Sequence, residues 1–291
     1  MHPAKFDYSA PTSLDEALTL LTQHGDGAKI LAGGHSLLPL LKLRFAEPSH
    51  LVDLRRIPGL AGVRWELGSL VIGAMTTHST IAESLEIQAA LPILTDAASQ
   101  IGDPQVRHRG TIGGSLAHAD PSADFPAVML ATNARMIAAG PRGRREIAAS
   151  DFFIDLLTSA LEPNEVLTEI RIPLPSAGTG GAYSKHPHPA SRFAVVGIAA
   201  VVTLADNAVS DARIAVTGLG TKAKLATNAA AALIGKAPDA ATIGAAAALV
   251  SAGIEPREDS QGNAAYKEQL ARVHAGRAIN AAVERARQAG R

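Results

Sequence analysis

Cysteine is absent from the 291 residues. That excludes a disulfide framework, a cysteine nucleophile and any iron–sulfur cluster ligated by cysteines of this chain. Aromatic residues make up only 3%, too few for a platform that stacks single-stranded bases. Neither sign of charge dominates: 27 Lys and Arg stand against 27 Asp and Glu. No basic face therefore invites nucleic acid or an anionic membrane. A run of about 18 apolar residues, as a membrane span needs, is missing too. The opening residues, Met1-His2-Pro3-Ala4-Lys5-Phe6-Asp7, hold no apolar signal core, and a cytoplasmic protein is expected.

What is present is apolar and rich in small residues, with 47% hydrophobic residues and 26 glycines. A chain of this length buries a large core and has room for two or three domains. Two glycine-rich segments stand out: Ala32-Gly33-Gly34-His35-Ser36 and Thr111-Ile112-Gly113-Gly114-Ser115. Each follows an apolar run and pairs two glycines with a hydroxyl side chain. Glycine permits positive φ and close approach of the backbone, so successive N–H groups can converge on an anion. A single such loop reads as an ordinary tight turn. Two in one chain suggest the two sides of a clamp around a diphosphate, hence a dinucleotide.

The rest of the chain places these loops. Ser13 opens a helical pattern with Leu14, Leu18 and Leu21 on one face, ending near Gly25. Lys29-Ile30-Leu31-Ala32 reads as a buried strand running into the first loop, and His50-Leu51-Val52-Asp53-Leu54 as a second strand. Residues 62–66 with 69–73, and 135–139 with 144–147, alternate as hairpins. Residues 80–94 predict a helix that continues in character to Ile101, and residues 166–172 a strand closed by Pro173 and Pro175. Ser176-Ala177-Gly178-Thr179-Gly180-Gly181 reads as a linker. Antiparallel strands at 193–204 and 208–217 and Ala-rich helices at 224–252 and from 264 onward complete the pattern.

Several motifs compete for attention. Gly218-Leu219-Gly220 follows a strand and has Asp239 about 20 residues on, as a nicotinamide-dinucleotide fingerprint asks. The strands before it form a meander without a βαβ crossover, so a turn closing an antiparallel sheet is the better reading. His118, Asp120 and Asp124 share one loop without a fourth metal donor, and His186-Pro187-His188-Pro189 is as weak a metal candidate. Asp124 stands at a helix mouth, able to cap it or to accept hydrogen bonds from ribose hydroxyls. Lys185 follows the linker, where a domain boundary forms a cleft; it is either a solvated lysine or one aimed at a flavin or phosphate. No nucleophile elbow or paired-carboxylate motif is evident, which assigns the chemistry to a bound cofactor.

At these residues the chain resembles the FAD-binding medium subunit of the molybdenum hydroxylases, the carbon monoxide dehydrogenase and xanthine dehydrogenase family. The matching stretches include Ala32-Gly33-Gly34-His35-Ser36-Leu37, Leu51-Val52-Asp53-Leu54, and Ile72-Gly73-Ala74 with Thr76-Thr77-His78. Arg109 to Leu116, Ala119-Asp120-Pro121 and Gly218-Leu219-Gly220 continue it nearly end to end. The resemblance implies an α+β architecture. A two-subdomain FAD-binding domain of the vanillyl-alcohol oxidase (PCMH) type would span residues 1–175, divided near 55. A C-terminal α+β domain of small antiparallel sheet and helices would span 176–291.

By that resemblance Ala32, Gly33, Gly34, His35 and Ser36, together with Thr111, Ile112, Gly113, Gly114 and Ser115, hold the FAD diphosphate. Asp124 binds near the adenosine ribose, Ile101 and Leu167 line the flavin and adenine pockets, and Lys185 reaches the cofactor from the C-terminal side. Where family members often carry basic residues after that lysine, this chain has His186-Pro187-His188-Pro189. The implied partners are a small iron–sulfur subunit, a large molybdenum-cofactor subunit and an external electron acceptor, with no catalytic side chain and no metal ligand in this chain. Two other readings stand beside it. One is a self-sufficient flavin reductase resembling the UDP-N-acetylenolpyruvoylglucosamine reductases; the other is a scaffold that has lost its cofactor.

Overall fold

The computed structural model describes residues 2–290. Ser13 starts the first helix, Leu14–His24, by accepting a 3.2 Å hydrogen bond from the Glu16 amide. Its buried residues Ala17 and Leu21, four apart, pack on a parallel three-stranded sheet. The strands are β1 (Asp7–Ser9), β2 (Ala28–Leu31) and β3 (His50–Asp53), in the order β1-β3-β2. At three residues, β1 is too short to carry a readable alternation.

The second unit is built on an antiparallel sheet. Its strands are β4 (Val63–Glu66), β5 (Ser69–Gly73), β6 (Arg135–Gly140), β7 (Gly143–Ala148) and, beyond a ribbon of β8 (Phe153–Asp155) and β9 (Thr158–Ser159), β10 (Val166–Pro173). The order β4-β5-β10-β6-β7 puts β10 at the centre between the two expected hairpins. Residues 80–94 do not form one helix. They hold the whole of Leu85–Ala90 and parts of the flanking helices His78–Glu83 and Pro92–Ser99. Ser84 caps the second by accepting from the Ile87 amide, and Pro92 opens the third at a position needing no N–H donor.

The third unit is a four-stranded antiparallel sheet of β11 (Thr179–Pro187), β12 (Ala194–Ala205), β13 (Ala208–Thr217) and β14 (Lys224–Leu225). Helices Thr227–Leu233, Ala240–Ala248 and Ala264–Ala289 cover it. The long last helix buries Ala271, Ala275, Ala278, Ala282 and Ala286, a row of small side chains that lets it lie close to the sheet. Here the expectation of a linker at 176–181 meets a correction, because Gly180 and Gly181 belong to β11. A Cβ on Gly180 would collide with the backbone of Ala282 and Ala286 in the last helix. The glycine serves close packing, not flexibility. Gly218, at φ +81°, turns from β13 toward β14, and its amide donates to Pro121 O, so this Gly-x-Gly is a turn in a meander.

The third unit is fastened to the second by polar contacts. Arg285 pairs with Asp96 through two contacts of 2.6 and 3.0 Å, and Thr217 Oγ1 lies 2.7 Å from the carbonyls of both Pro121 and Ala123. Replacing Gly180 by Ala should destabilise the protein by about 1–3 kcal/mol through overpacking against the last helix. Chemical denaturation checks this, and an unchanged midpoint would show that the helix can shift freely.

Candidate functional site

A cleft of about 740 Å³ opens between the first two units and reaches residues 191–193 of the third. Its size is in the upper part of the range for small-molecule sites. Ala32, Gly33, Gly34, His35 and Ser36 line it, between the end of β2 and the helix Leu37–Leu43. Gly34 sits at φ +79°, a conformation that glycine adopts without strain. Among the described residues, the amides of Gly33, Gly34, His35 and Ser36 have no protein acceptor. Four consecutive unspent donors form a cradle of the kind that binds anions. His35 Nδ1 lies 3.1 Å from Gly33 O, which folds the ring back onto the loop and makes Nδ1 the protonated nitrogen.

The second glycine segment is not equivalent to the first. Residues 112–115 are the first turn of the helix Ile112–His118, with Thr111 as its N-cap. The Ile112 amide donates to Thr76 O at 3.0 Å and the Gly113 amide to Ala74 O at 2.8 Å. Gly114 N–H goes to Thr111 Oγ1, and Ser115 N–H to Thr111 O. All four donors are already used, two in holding the turn to Ala74 and Thr76 and two in closing it on Thr111. The side chain of Ile112 is fully buried in the central core and does not line the cleft, whereas Thr111, Gly113, Gly114 and Ser115 do.

Two close contacts bring the segments together. A side chain on Gly33 would strike Arg109 O and, at 2.7 Å, the Cα of Gly110, while Gly114 faces Ala32 Cβ. The first loop therefore supplies free amides, and the second a thin wall with the hydroxyls of Thr111 and Ser115. Ile101 and Leu167 add apolar surface to the same cleft. Leu167 sits where the pairing of β10 with β6 shifts register, an irregularity that can re-aim a side chain.

Asp124 lines the cleft, and Lys185 lies directly behind it. Although Asp124 occupies an N-cap position, its side chain does not cap. One carboxylate oxygen accepts from Tyr183 Oη at 2.6 Å, and Lys185 Nζ sits 2.9 and 3.1 Å from the two oxygens. Burial pushes the Asp124 carboxyl up and the Lys185 ammonium down, and each opposes the shift of the other. Burial also drives the Tyr183 phenol well above its ordinary range, so it remains a donor. A Cβ on Gly197 would overlap Tyr183 Oη, so β12 is bare where the phenol passes. Lys185 also donates to Arg192 O at 2.8 Å.

The structure adds lining residues that sequence reasoning did not single out. His78 is 5% exposed, lines the cleft and has no partner for Nδ1 among the described residues. Burial and the nearby His35 and Arg107 hold its pKa down at about 4, so the ring is neutral near neutrality. Glu165, held as a carboxylate by two 2.7 Å contacts with Arg145, lies at the other wall. Ser191, Arg192 and Phe193 close the third side. A histidine after a capping threonine was the available signal for His78; nothing local marks the others.

These features fit a dinucleotide: an anion cradle, hydroxyls, a buried acid and apolar walls in one cleft. Residues 4–175 match the family described as the FAD binding domain in molybdopterin dehydrogenase, and residues 181–282 match the CO dehydrogenase flavoprotein C-terminal domain. The chain belongs to the FAD-binding medium chains of the carbon monoxide dehydrogenase and molybdenum hydroxylase family.

Among its relatives, the carbon monoxide dehydrogenase medium chain of Hydrogenophaga pseudoflava is 46% identical, with 97% of this chain and 98% of that one aligned. The 6-hydroxypseudooxynicotine dehydrogenase complex subunit alpha of Paenarthrobacter nicotinovorans is 40% identical over 99% of this chain and 97% of its own. A solved carbon monoxide dehydrogenase from Hydrogenophaga pseudoflava superposes with a TM-score of 0.95 at 48% identity, covering 98% of this chain and 99% of that one. The fold is thus the two-part flavoprotein architecture of these medium chains, FAD is the family's cofactor here, and the relatives are subunits of oxidoreductases.

Two predictions follow from the site's charges. Lys185→Met should cost about 3–5 kcal/mol, because it strands a buried carboxylate, and adding Asp124→Asn should recover part of that loss. A double-mutant cycle in urea measures it, and an additive pair would contradict the coupling. His78 is neutral when folded and titrates near 6.5 when unfolded. Its contribution to stability is therefore complete above pH 6.5 and lost as pH falls toward 4. His78→Phe should flatten stability across that window, as denaturation midpoints from pH 4 to 6.5 would show.

Proposed function

We propose that this medium chain holds FAD in the cleft and acts as the electron relay of a molybdenum hydroxylase complex. The observation that carries the reading is the row of four free amides at 33–36, pressed against the second glycine turn. Gly33, Gly34, His35 and Ser36 hold the diphosphate through their amides, assisted by Thr111, Ser115 and the thin wall of Gly113 and Gly114. Asp124, fixed by Tyr183 and Lys185, accepts from a sugar hydroxyl, and Ile101 and Leu167 line the ring pockets. Lys185 acts through Asp124 and Arg192 O, and Ile112 acts through the turn that it anchors in the core. The FAD-binding unit is assigned to 1–175 and the C-terminal unit to 176–291.

Bound there, FAD exchanges electrons singly or in pairs. What the chain adds is position, exclusion of water and a fixed electrostatic setting. The partners proposed are a small iron–sulfur subunit that delivers electrons, a large molybdenum-cofactor subunit that binds substrate, and an external acceptor. Full-length similarity to subunits of enzymes that differ in the substrate they are named for supports placing substrate choice elsewhere. No helix among the described residues is long and apolar enough to cross a membrane.

The purified chain, alone or with co-expressed neighbouring subunits, should carry flavin absorbance. Gly33→Val should abolish flavin retention while leaving secondary structure intact by circular dichroism. A flavin-loaded Gly33→Val protein would defeat the cradle. Mass spectrometry of co-purifying chains checks the partners.

A further inference from the structure

Residues 188–193 form a strap that joins β11 to β12, and its Ser191, Arg192 and Phe193 line the cleft. We infer that His188 is the positioning residue of this strap, and that it acts as a hydrogen-bond acceptor which presents Arg192 and Phe193 to the ligand in the cleft. The inference rests on the FAD reading for the identity of that ligand.

Three donors converge on His188 Nδ1: the Ala190 amide at 3.3 Å, the Ser191 amide at 3.2 Å and Ser191 Oγ at 3.1 Å. A backbone N–H can only donate, so Nδ1 must carry the lone pair and Nε2 the proton. The backbone of His188 holds the strap as well. Its amide donates to Phe193 O at 2.8 Å, and its carbonyl accepts from the Arg192 amide at 2.9 Å.

This network holds an unfavourable conformation. Arg192 sits at φ +58°, in the left-handed region that disfavours a bulky side chain. Such a residue persists only where its surroundings over-determine it. Here the Arg192 amide is held by His188 and its carbonyl by the buried Lys185 Nζ. Held this way, Arg192 and Phe193 both line the cleft. His188 thus does for this strap what an asparagine does in an Asx turn, with Nδ1 in the place of Oδ1.

That analogy provides the test. Full-length wild type, His188→Ala and His188→Asn are compared by amide hydrogen exchange of residues 190–193 and by the dissociation constant of added FAD, from fluorescence quenching. His188→Ala should accelerate exchange in the strap and weaken FAD binding about fivefold. His188→Asn, which keeps an acceptor in place, should match wild type in both. Unchanged strap exchange in His188→Ala overturns the inference, as does faster exchange without a change in affinity. An Asn variant as impaired as Ala overturns it too. If wild type binds no FAD, the cofactor reading fails, and the Ala-against-Asn contrast in exchange alone decides the role of His188.

Discussion

The pairing of Asp124 with Lys185 is the interaction on which the arrangement of this molecule depends. The acid comes from the second unit and the lysine from β11 of the third, with Tyr183 two residues earlier on the same strand. Tyr183 and Lys185 project from the same face of β11, so one strand delivers two donors to one carboxylate. Removing two charges from water costs several kcal/mol per ion unless geometry and hydrogen bonds compensate. Here the phenol, the ammonium and the Arg192 carbonyl supply that compensation. The pair therefore ties the third unit to the second and fixes Asp124 at the wall of the cleft.

Around that anchor, small residues let backbones approach one another. Gly33 lies against residues 109–110, Gly113 against Ala74 and Gly180 against the last helix. Close approach does different work in each place. It joins the two glycine segments at the cleft, ties the second to residues 74–77, and seats the Ala-rich helix on the third sheet. A site built this way is rigid on two sides. The side formed by residues 191–193 is held by the hydrogen bonds of the strap 188–193.

Much of the architecture was legible in the sequence where local signals agree. The hairpins β4–β5 and β6–β7 follow alternation and turn residues, and Leu14–His24 follows its Ser13 cap and leucine spacing. The illegible parts share a cause. Gly180-Gly181 has the local chemistry of a linker, and only the helix packed over it makes it a strand. The second glycine segment looks like the first until one sees that its amides bond to Ala74 and Thr76, in a distant part of the chain. Residues 80–94 keep a helical composition throughout, yet Ser84 and Pro92 divide them.

The sequence alone determined the family, the cofactor and the two glycine segments that line the cleft, because those features lie in residue types whose order is read directly. It also disposed of the Gly218 motif, since a meander offers no crossover helix. Tertiary structure decided which of the two segments keeps its amides free, that Ile112 points into the core, and that Lys185 is the buried partner of Asp124. It also brought His78, Glu165 and residues 191–193 to the cleft. Those outcomes depend on hydrogen bonds and burial between residues tens of positions apart, and a linear pattern carries no record of which partner each donor will meet.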